Sequence, residues 1–145
     1  MKKWGFIVAV LVLAGLVGVA IFSNRQTAPP FQLIDLNGQT VTEQNLQGKV
    51  TLINFWYPSC PGCVVEMPKL IATQQKYSTQ PYQTLAISLP YNTEAEVRHY
   101  VASRQLPFTV MIDHDGAVGK RYNVQLAPNS FLVDKQGKIL KSYVG

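Results

Sequence analysis

Two cysteines separated by two residues, placed between an apolar run and a helix-like stretch, constrain this sequence more than any other feature. The apolar run covers residues 50–55, and Cys60 and Cys63 are the only cysteines of the 145-residue chain. A run of this kind is typical of a strand buried on both faces. In the first turn of a helix, cysteines at this spacing are close enough to bond, and unpaired backbone N–H groups favour a thiolate on the first. The sequence therefore predicts a strand followed by a redox-active pair at a helix start, with thiol-disulfide exchange as its chemistry.

Strand-like and helix-like stretches alternate from residue 31 onward. This alternation predicts an α/β fold, with a central mixed β-sheet flanked by helices. The predicted strands are residues 39–42, 50–55, 83–88, 109–112, 130–134 and 139–143. The predicted helices are residues 60–77, interrupted or kinked at Pro68, residues 94–104 and residues 117–122. In the second of these helices the predicted inward-facing residues are Ala95, Val97, Tyr100 and Val101.

An uncharged apolar run at residues 4–22 is suited to a different environment from the rest of the chain. At about 1.5 Å per residue, a helix over this run is about 28 Å long, which is close to the hydrocarbon thickness of a bilayer. Lys2 and Lys3 precede the run, and Arg25 follows it. This distribution of positive charge predicts a cytoplasmic N-terminus. We therefore expect residues 1–22 to form a single-pass anchor in the cytoplasmic (inner) membrane, with the domain facing the periplasm or the cell exterior.

A cleaved secretory signal is the alternative for this segment. Gly18 and Ala20 are small residues at the two positions that a signal peptidase inspects. Retention of residues 1–22 as an anchor is favoured, because the apolar run continues beyond that site and is longer than the apolar core of a typical signal peptide. Both interpretations export the rest of the chain, which comprises a short linker at residues 23–30 and a domain at residues 31–145.

Charge and ligand chemistry argue against other classes of protein. The formal net charge is +5, but Lys and Arg do not cluster, so nucleic acid is not an expected partner. A zinc site would need ligands beyond the cysteine pair, and His99 and His114 are far from that pair in sequence. We therefore expect neither a metal nor a cofactor.

A larger set of residues resembles a known family. The set comprises Trp56, Cys60 and Cys63, then Glu66-Met67-Pro68, then residues 127–134 and Gly137-Lys138-Ile139. Together they resemble the TlpA/ResA-type branch of the thioredoxin superfamily, over nearly all of residues 31–145. The resemblance implies a thioredoxin-like fold, export, and electron exchange with protein dithiols or disulfides, often in cytochrome c biogenesis. An exported reductase also needs a membrane dithiol as its electron donor, because soluble cytoplasmic reductants do not cross the membrane.

Two differences limit what this resemblance implies. The dipeptide between the cysteines, Pro61-Gly62, and its neighbours differ in detail from those usual in the family, and the local thiolate environment sets the redox potential. The family also continues into a last helix packed on the sheet, whereas this sequence ends at Gly145. We therefore expect the domain as given to lack that helix, either because the chain is incomplete or because one face of the sheet is covered differently. The redox potential does not follow from the resemblance.

The predicted catalytic residues are Cys60, Cys63 and Glu66. Cys60 is nearest the helix N-terminus and is the predicted attacking thiolate, while Cys63 is the thiol that resolves the mixed disulfide. Glu66 is expected on the helix face of Cys63, and the resemblance implies that it handles a proton there. Burial would raise the pKa of this carboxyl group and let it take the proton from Cys63. Alternatively, Glu66 is an exposed charge in the first half of a helix, favoured by the helix dipole.

The predicted substrate-binding residues are Trp56, Ala127 and Pro128. Pro128 resembles the cis-proline that faces the dithiol in this superfamily, and by the same resemblance the backbone of Ala127 pairs with an extended substrate segment. As an ordinary residue before a strand, Pro128 would instead be trans and passive. Trp56 and Tyr57 either shield the sulfurs and offer an apolar surface to a partner, or belong to the core.

Two other functions are compatible with the sequence. Residues 57–66 partly resemble a peroxiredoxin signature in which Cys63 would attack peroxide, although Cys60 stands where a peroxide-orienting threonine is expected. A non-catalytic binding module could instead use the dithiol to sense oxidation. A purely structural disulfide is disfavoured, because so small a loop gains little from chain entropy. The sequence has no histidine between the cysteines, which removes one source of thiolate stabilisation and favours a reductase over an oxidase.

Overall fold

The computed structural model describes residues 2–23 and 25–145, with the side chains of residues 4–20 and 25–145. The described helices are α1 (Lys2–Ser23), α2 (Pro61–Lys76), α3 (Glu94–Arg104) and α4 (Ala117–Arg121), with a short 3₁₀ helix at Glu43–Leu46. The described strands are β1 (Gln32–Ile34), β2 (Thr40–Thr42), β3 (Val50–Trp56), β4 (Tyr82–Ser88), β5 (Thr109–Ile112), β6 (Asn129–Val133) and β7 (Ile139–Val144).

Five of these strands form one mixed sheet in the order β5-β4-β3-β6-β7. The central strand β3 is parallel to β4 and antiparallel to β6. At the two sides of the sheet, β4 is parallel to β5 and β6 is antiparallel to β7. Residues of α2 and α3 pack on one face, and residues of α4 and of the chain before β1 pack on the other. The predicted α/β fold, with a central mixed sheet flanked by helices, is therefore confirmed.

The side chains of β3 divide between two cores. Phe55 points into one core, where its ring centroid lies 5.2 Å from that of Tyr122. Leu52 and Trp56 pack in the other core, which also contains both cysteines. Truncation of Phe55 to alanine would cost about 3–5 kcal/mol of folding free energy, because a buried aromatic ring leaves a large cavity. Burial on both faces fixes the end of β3, and with it the point from which the chain enters the cysteine pair.

Three local features differ from the sequence prediction. Helix α2 continues through Pro68, where a break or kink is predicted. Met67 and Leu70 on either side of this proline are buried, and their packing offsets the loss of one helical hydrogen bond. Strand β1 is not predicted, and it pairs with β2 in a separate two-stranded sheet. In α3, Val97 is buried as predicted, but Ala95 is exposed.

The N-terminal apolar segment is helical, since α1 covers Lys2–Ser23. Among the residues that the structure describes, no helix has both the length and the apolar character needed to cross a membrane. The transmembrane helix predicted for residues 1–22 is therefore not supported. The side chains of Lys2 and Lys3, which determine the predicted orientation, lie outside the described residues.

Residues 25–30, which are part of the predicted linker, lie along the domain. The backbone N–H group of Ala28 donates a hydrogen bond to the carbonyl oxygen of Gly137 at 2.9 Å. The hydroxyl group of Tyr122 donates to the carbonyl oxygen of Pro29 at 3.1 Å. Such contacts join segments far apart in sequence, so a composition rich in Pro and polar residues does not reveal them. The domain boundaries themselves stay a prediction.

A groove of about 800 Å³ opens between α2 and the sheet. Val50, Leu52 and Leu132 form part of its apolar lining, and Glu66 lies on its α2 side. The carboxyl group of Glu66 therefore borders this groove.

Candidate active site

The two cysteines form a disulfide at the start of α2. Cys60 is the N-cap residue and Pro61 stands in the first turn. Proline suits a helix start because its φ is already helical and the N–H group it lacks has no partner inside the helix. The backbone N–H group of Cys63 donates a hydrogen bond to Cys60 Sγ at 3.1 Å. The predicted order of strand, cysteine pair and helix is confirmed.

Both sulfurs are nearly closed to solvent in this disulfide form. The exposed fraction is 3% for Cys60 and 1% for Cys63, whereas Pro61 and Gly62 between them are exposed. The two cysteines therefore differ little in accessibility in this state. Once the bond is reduced, the N–H group of Cys63, which already donates to Cys60 Sγ, favours a thiolate on Cys60.

The peptide bond between Ala127 and Pro128 is cis, as the resemblance implies. This bond lies beside the disulfide, with Cys60 Sγ 3.6 Å from the carbonyl oxygen of Ala127. A sulfur within a disulfide carries no hydrogen, so this contact becomes an S–H···O hydrogen bond only when Cys60 is a protonated thiol. The structure thus brings together Cys60, Ala127 and Pro128, three of the predicted site residues.

Gly62 is a site residue that sequence reasoning missed. A Cβ atom added to it would lie 3.1 Å from Pro128 Cδ, which is tighter than an ordinary van der Waals contact. The absence of a side chain at this position therefore lets the proline approach the first turn of α2. Gly145 approaches Pro128 from another side, since its N–H group donates to the carbonyl oxygen of Pro128 at 3.0 Å. No local sequence signal marks these contacts, because they join segments far apart in the chain.

Glu66 lies on the same helix as the cysteine pair and is half-buried. Its Oε2 accepts a hydrogen bond from Asn54 Nδ2 at 3.3 Å. Burial raises the pKa of the Glu66 carboxyl group, and the bond from Asn54 and the charge of Lys69 oppose this rise. Of the two interpretations of Glu66, partial burial with a raised pKa matches the proton-handling one, whose catalytic role stays a prediction.

Trp56 does not present a surface to a partner in this structure. Its side chain is fully buried beside the cysteines, and its ring centroid lies 5.1 Å from that of Tyr100. Its position differs from the predicted substrate contact and matches the alternative of a core residue. A tryptophan at the end of a buried strand follows the strand into the core, because its large apolar area gains most there.

A second connection near the disulfide was not predicted. Asn92 Oδ1, in the loop before α3, accepts hydrogen bonds from Ser59 Oγ at 2.8 Å and from the Ser59 backbone N–H group at 3.3 Å. The rings of Tyr57 and Tyr91 also meet, with centroids 4.7 Å apart. These contacts hold the segment that precedes Cys60. Across the residues that the structure describes, no cluster of three or more His, Cys, Asp or Glu side chains could hold a metal ion.

Fold and site together define a class of protein. A disulfide caps a helix N-terminus and lies next to a cis-proline just before β6 of a mixed sheet, and the two residues between its cysteines are exposed. This arrangement is that of a thiol-disulfide exchanger built on a thioredoxin-like fold.

Comparisons with known proteins agree with this class. The family model described as Redoxin matches residues 23–145. Thiol-disulfide oxidoreductase ResA of Bacillus thuringiensis subsp. konkukian (strain 97-27) is 31% identical, over 96% of this chain and 86% of that protein. A solution structure from Neisseria meningitidis, described as a "Putative Thioredoxin", is 54% identical with a TM-score of 0.78, over 84% of this chain and 81% of that chain.

A third relative is known from a crystal structure. It is described as a "putative Thiol:disulfide interchange protein DsbE" from Chlorobium tepidum, and it is 32% identical with a TM-score of 0.75, over 83% of this chain and 84% of that chain. The chain therefore belongs to the Redoxin family, in its TlpA/ResA thioredoxin-like type, and is a thiol-disulfide oxidoreductase. Its substrates are accordingly dithiols or disulfides of proteins.

Proposed function

We propose that this domain acts outside the cytoplasm and reduces disulfides in other proteins. The observation that carries the proposal is the Cys60-Cys63 disulfide at the N-terminus of α2, beside the cis peptide bond of Pro128. Export is supported by the two lysines and the apolar run at the N-terminus, whether this segment is kept or cleaved. Reduction is supported by the dipeptide Pro61-Gly62, which has no histidine to stabilise the thiolate further.

The reaction starts from the reduced pair. The Cys60 thiolate attacks one sulfur of the substrate disulfide, forms a mixed disulfide and releases one substrate thiolate, which takes a proton from water. Cys63 then gives its proton to the Glu66 carboxylate and attacks Cys60 Sγ. This step re-forms the Cys60-Cys63 disulfide and releases the second substrate thiolate, which also takes a proton. Two electrons pass from the domain to the substrate.

The surroundings of the pair support each step. The backbone of Ala127, next to Cys60 Sγ, is placed to pair with an extended substrate segment. Burial holds the pKa of Glu66 above its ordinary value, which brings it closer to that of a thiol and so favours proton transfer from Cys63. Glu66, which is only half-buried, then loses the proton to water.

The oxidised domain must be reduced again by a second dithiol. Because soluble cytoplasmic reductants do not cross the membrane, we assign this role to a dithiol protein of the membrane. The resemblance to the TlpA/ResA type supports cytochrome c biogenesis as the process that this reduction serves.

Repeated turnover tests the proposal. The reduced domain, supplied with dithiothreitol, should reduce the disulfides of insulin many times per molecule, and the Cys60-Cys63 pair should equilibrate on the reducing side of a glutathione series. A single oxidation event without turnover would instead indicate a redox sensor. An equilibrium on the oxidising side would reverse the proposed direction.

Covalent trapping tests the order of the two cysteines. Cys63→Ala should accumulate mixed disulfides through Cys60, because no second thiol releases the substrate. The matched variant Cys60→Ala should trap almost none. Rapid loss of hydrogen peroxide that depends on Cys63 but not on Cys60 would favour the peroxidase alternative.

A further inference from the structure

Asn54 is a polar side chain in the central strand, where its neighbours on the same face, Leu52 and Trp56, are apolar. It is 1% exposed. Its Nδ2 donates hydrogen bonds to Glu66 Oε2 at 3.3 Å and to Ser130 Oγ at 2.9 Å. Within the described part of the chain, Asn54 Oδ1 has no hydrogen-bond partner. A buried amide with an unpaired oxygen is unfavourable for folding, so packing alone does not explain this residue.

The partners of Asn54 determine which way its amide group faces. A carboxylate can only accept hydrogen bonds, so Glu66 requires the N–H side of the amide. Ser130 is directly opposite Asn54 in the register of β3 and β6, and its hydroxyl oxygen accepts the second N–H. Both amide hydrogens are therefore used, and the oxygen is the atom left unpaired. The amide group therefore gives the Glu66 carboxylate a hydrogen bond, while its own oxygen is left without one.

We propose that Asn54, held by Ser130 on the neighbouring strand, is a positioning residue that fixes the Glu66 side chain on the helix that carries Cys63. The inference rests on the proposed function, since Asn54 matters for exchange only if Glu66 receives the proton of Cys63. Asn54 itself touches neither sulfur nor substrate in this scheme. It connects the sheet to the carboxyl group across the space between β3 and α2.

Electrostatics gives Asn54 a second effect on the same group. Burial raises the pKa of Glu66, and the hydrogen bond from Asn54 is the largest influence that lowers it, followed by Lys69. The other charged or titratable groups that line the groove with Glu66 are Lys76 of α2, Tyr77 directly after it, Tyr82 of β4, Lys135 after β6 and Tyr143 of β7. Loss of the Asn54 amide therefore leaves the effect of burial less opposed, and the carboxyl group would hold its proton to higher pH.

A chromogenic disulfide separates the two steps of exchange. Reduced protein mixed with dithiodipyridine releases one thiopyridone when Cys60 attacks and a second when Cys63 resolves the mixed disulfide. Rates of both releases are measured across pH for wild type, Asn54→Ala, Ser130→Ala, Glu66→Gln and the double variant Asn54→Ala/Glu66→Gln. Thr51→Val is the matched control, because Thr51 is buried in the same strand and its hydroxyl group contacts Gln83 instead.

The expected effect is confined to the second release. Asn54→Ala should slow it about tenfold near neutral pH, as expected for a lost hydrogen bond to a charged group, and move its pH inflection upward. Ser130→Ala should act in the same direction with a smaller effect. In the Glu66→Gln background, Asn54→Ala should add nothing. Thr51→Val should leave both releases and the inflection unchanged.

Distinct outcomes would overturn the inference or the proposed function. Slowing of both releases by Asn54→Ala, or equal slowing in the Glu66→Gln background, would make Asn54 a structural residue only. If Asn54→Ala does not fold, a wild-type inflection in Ser130→Ala refutes the inference. A second release that is unaffected by Glu66→Gln would instead refute the proton-accepting role of Glu66. A slow second release in Glu66→Gln together with a normal one in Asn54→Ala would refute the positioning role of Asn54 and leave the role of Glu66 standing.

Discussion

The first turns of α2 and α3 use the same two positions for different purposes. In α3, the N-cap residue Thr93 accepts a hydrogen bond from the N–H group of Glu96 at 3.3 Å, and Glu96 Oε2 accepts one from the Thr93 N–H group at 2.7 Å. In α2, the N-cap residue Cys60 accepts a hydrogen bond from the N–H group of Cys63, and the two side chains are joined by a disulfide. Both helix starts link the N-cap side chain to the third helical residue.

The comparison shows how a capping site becomes a redox site. In α3 the two residues are linked by hydrogen bonds at an exposed position. These bonds satisfy backbone N–H groups at the helix start and have no other chemical consequence. In α2 the link is a covalent bond that opens on reduction, in a first turn that packs against Pro128. The N–H group of Cys63, which Cys60 caps, then favours a negative charge on the nucleophile. The types of residue at these two positions therefore separate a structural cap from a redox pair.

The largest expected effect comes from removing the nucleophile while keeping the cap. Cys60→Ser retains an oxygen that can accept from the N–H group of Cys63, so α2 should start at the same residue. Exchange with a disulfide substrate should fall to the background rate. The free energy of unfolding should stay within about 1 kcal/mol of that of the reduced wild-type protein. Stopped-flow exchange and urea denaturation measure the two quantities.

A Cys60→Ser protein that keeps substantial exchange would break the comparison, because Cys63 would then be a competent nucleophile by itself. The reverse outcome, lost exchange with a large loss of stability, would mean that sulfur caps α2 in a way that oxygen cannot. Cys63→Ser serves as the control, since it leaves the attacking residue in place.

A smaller effect is expected at the second helical position. Gly62→Ala forces Pro128 to retreat by a few tenths of an ångström, and exchange should fall about fivefold because the site geometry is disturbed. The matched change in α3, Ala95→Gly, should cost up to about 1 kcal/mol of stability and leave exchange unaffected. Exchange kinetics and thermal unfolding of both variants provide the measurement. Wild-type exchange in Gly62→Ala would show that the approach of Pro128 is not needed.

The smallest effects are expected in the pH dependence of stability. The pKa of Glu66 is raised by burial, so its native state holds the proton longer than the unfolded chain and its contribution to stability declines as pH rises through the raised value. The pKa of Glu96 is lowered by its hydrogen bonds to Thr93, so its contribution is present at neutral pH and declines as pH falls through the lowered value. The two carboxyl groups should therefore act in opposite directions.

Two conservative variants measure this difference. Relative to wild type, Glu66→Gln should gain stability between acidic and neutral pH, whereas Glu96→Gln should lose it. Denaturant unfolding from acidic to neutral pH, with the disulfide intact, gives both profiles. If the stability of both variants changed with pH in the same direction, the contrast between the half-buried carboxyl group of Glu66 and the exposed capping carboxyl group of Glu96 would be contradicted.

Much of the fold follows from local sequence patterns. β5 and α3 have the predicted bounds, and β3 extends one residue beyond its prediction. These elements carry strong local signals, namely an apolar run or a capping box at Thr93. β1 was not predicted, because it is short and pairs only with β2. A break or kink of α2 was predicted at Pro68, but the helix continues through it. The packing of the neighbouring residues, which offsets the lost hydrogen bond, depends on tertiary contacts and cannot be read from a local pattern.

The candidate site divides in the same way. The spacing of Cys60 and Cys63, after an apolar strand and before a helix, was sufficient to predict a bonded pair at a helix start. By contrast, Gly62 and Asn54 became site residues only through contacts with Pro128 and Glu66. For Trp56 the sequence left both a substrate contact and a core position open; its side chain is buried in the core beside β3, and a role in substrate binding stays a prediction.

The sequence alone determined the chemistry of this protein, because two sulfurs at a helix start are adjacent whatever the rest of the chain does. Tertiary structure decided the surroundings of those sulfurs: the proline that lies beside them, the tryptophan that is buried in the same core, and the amide of Asn54 that donates to the carboxyl group of Glu66. The physical reason is range. Helix capping and the closure of a short disulfide loop act between neighbours in the chain, whereas burial and cross-strand hydrogen bonds depend on segments that meet only when the sheet has formed.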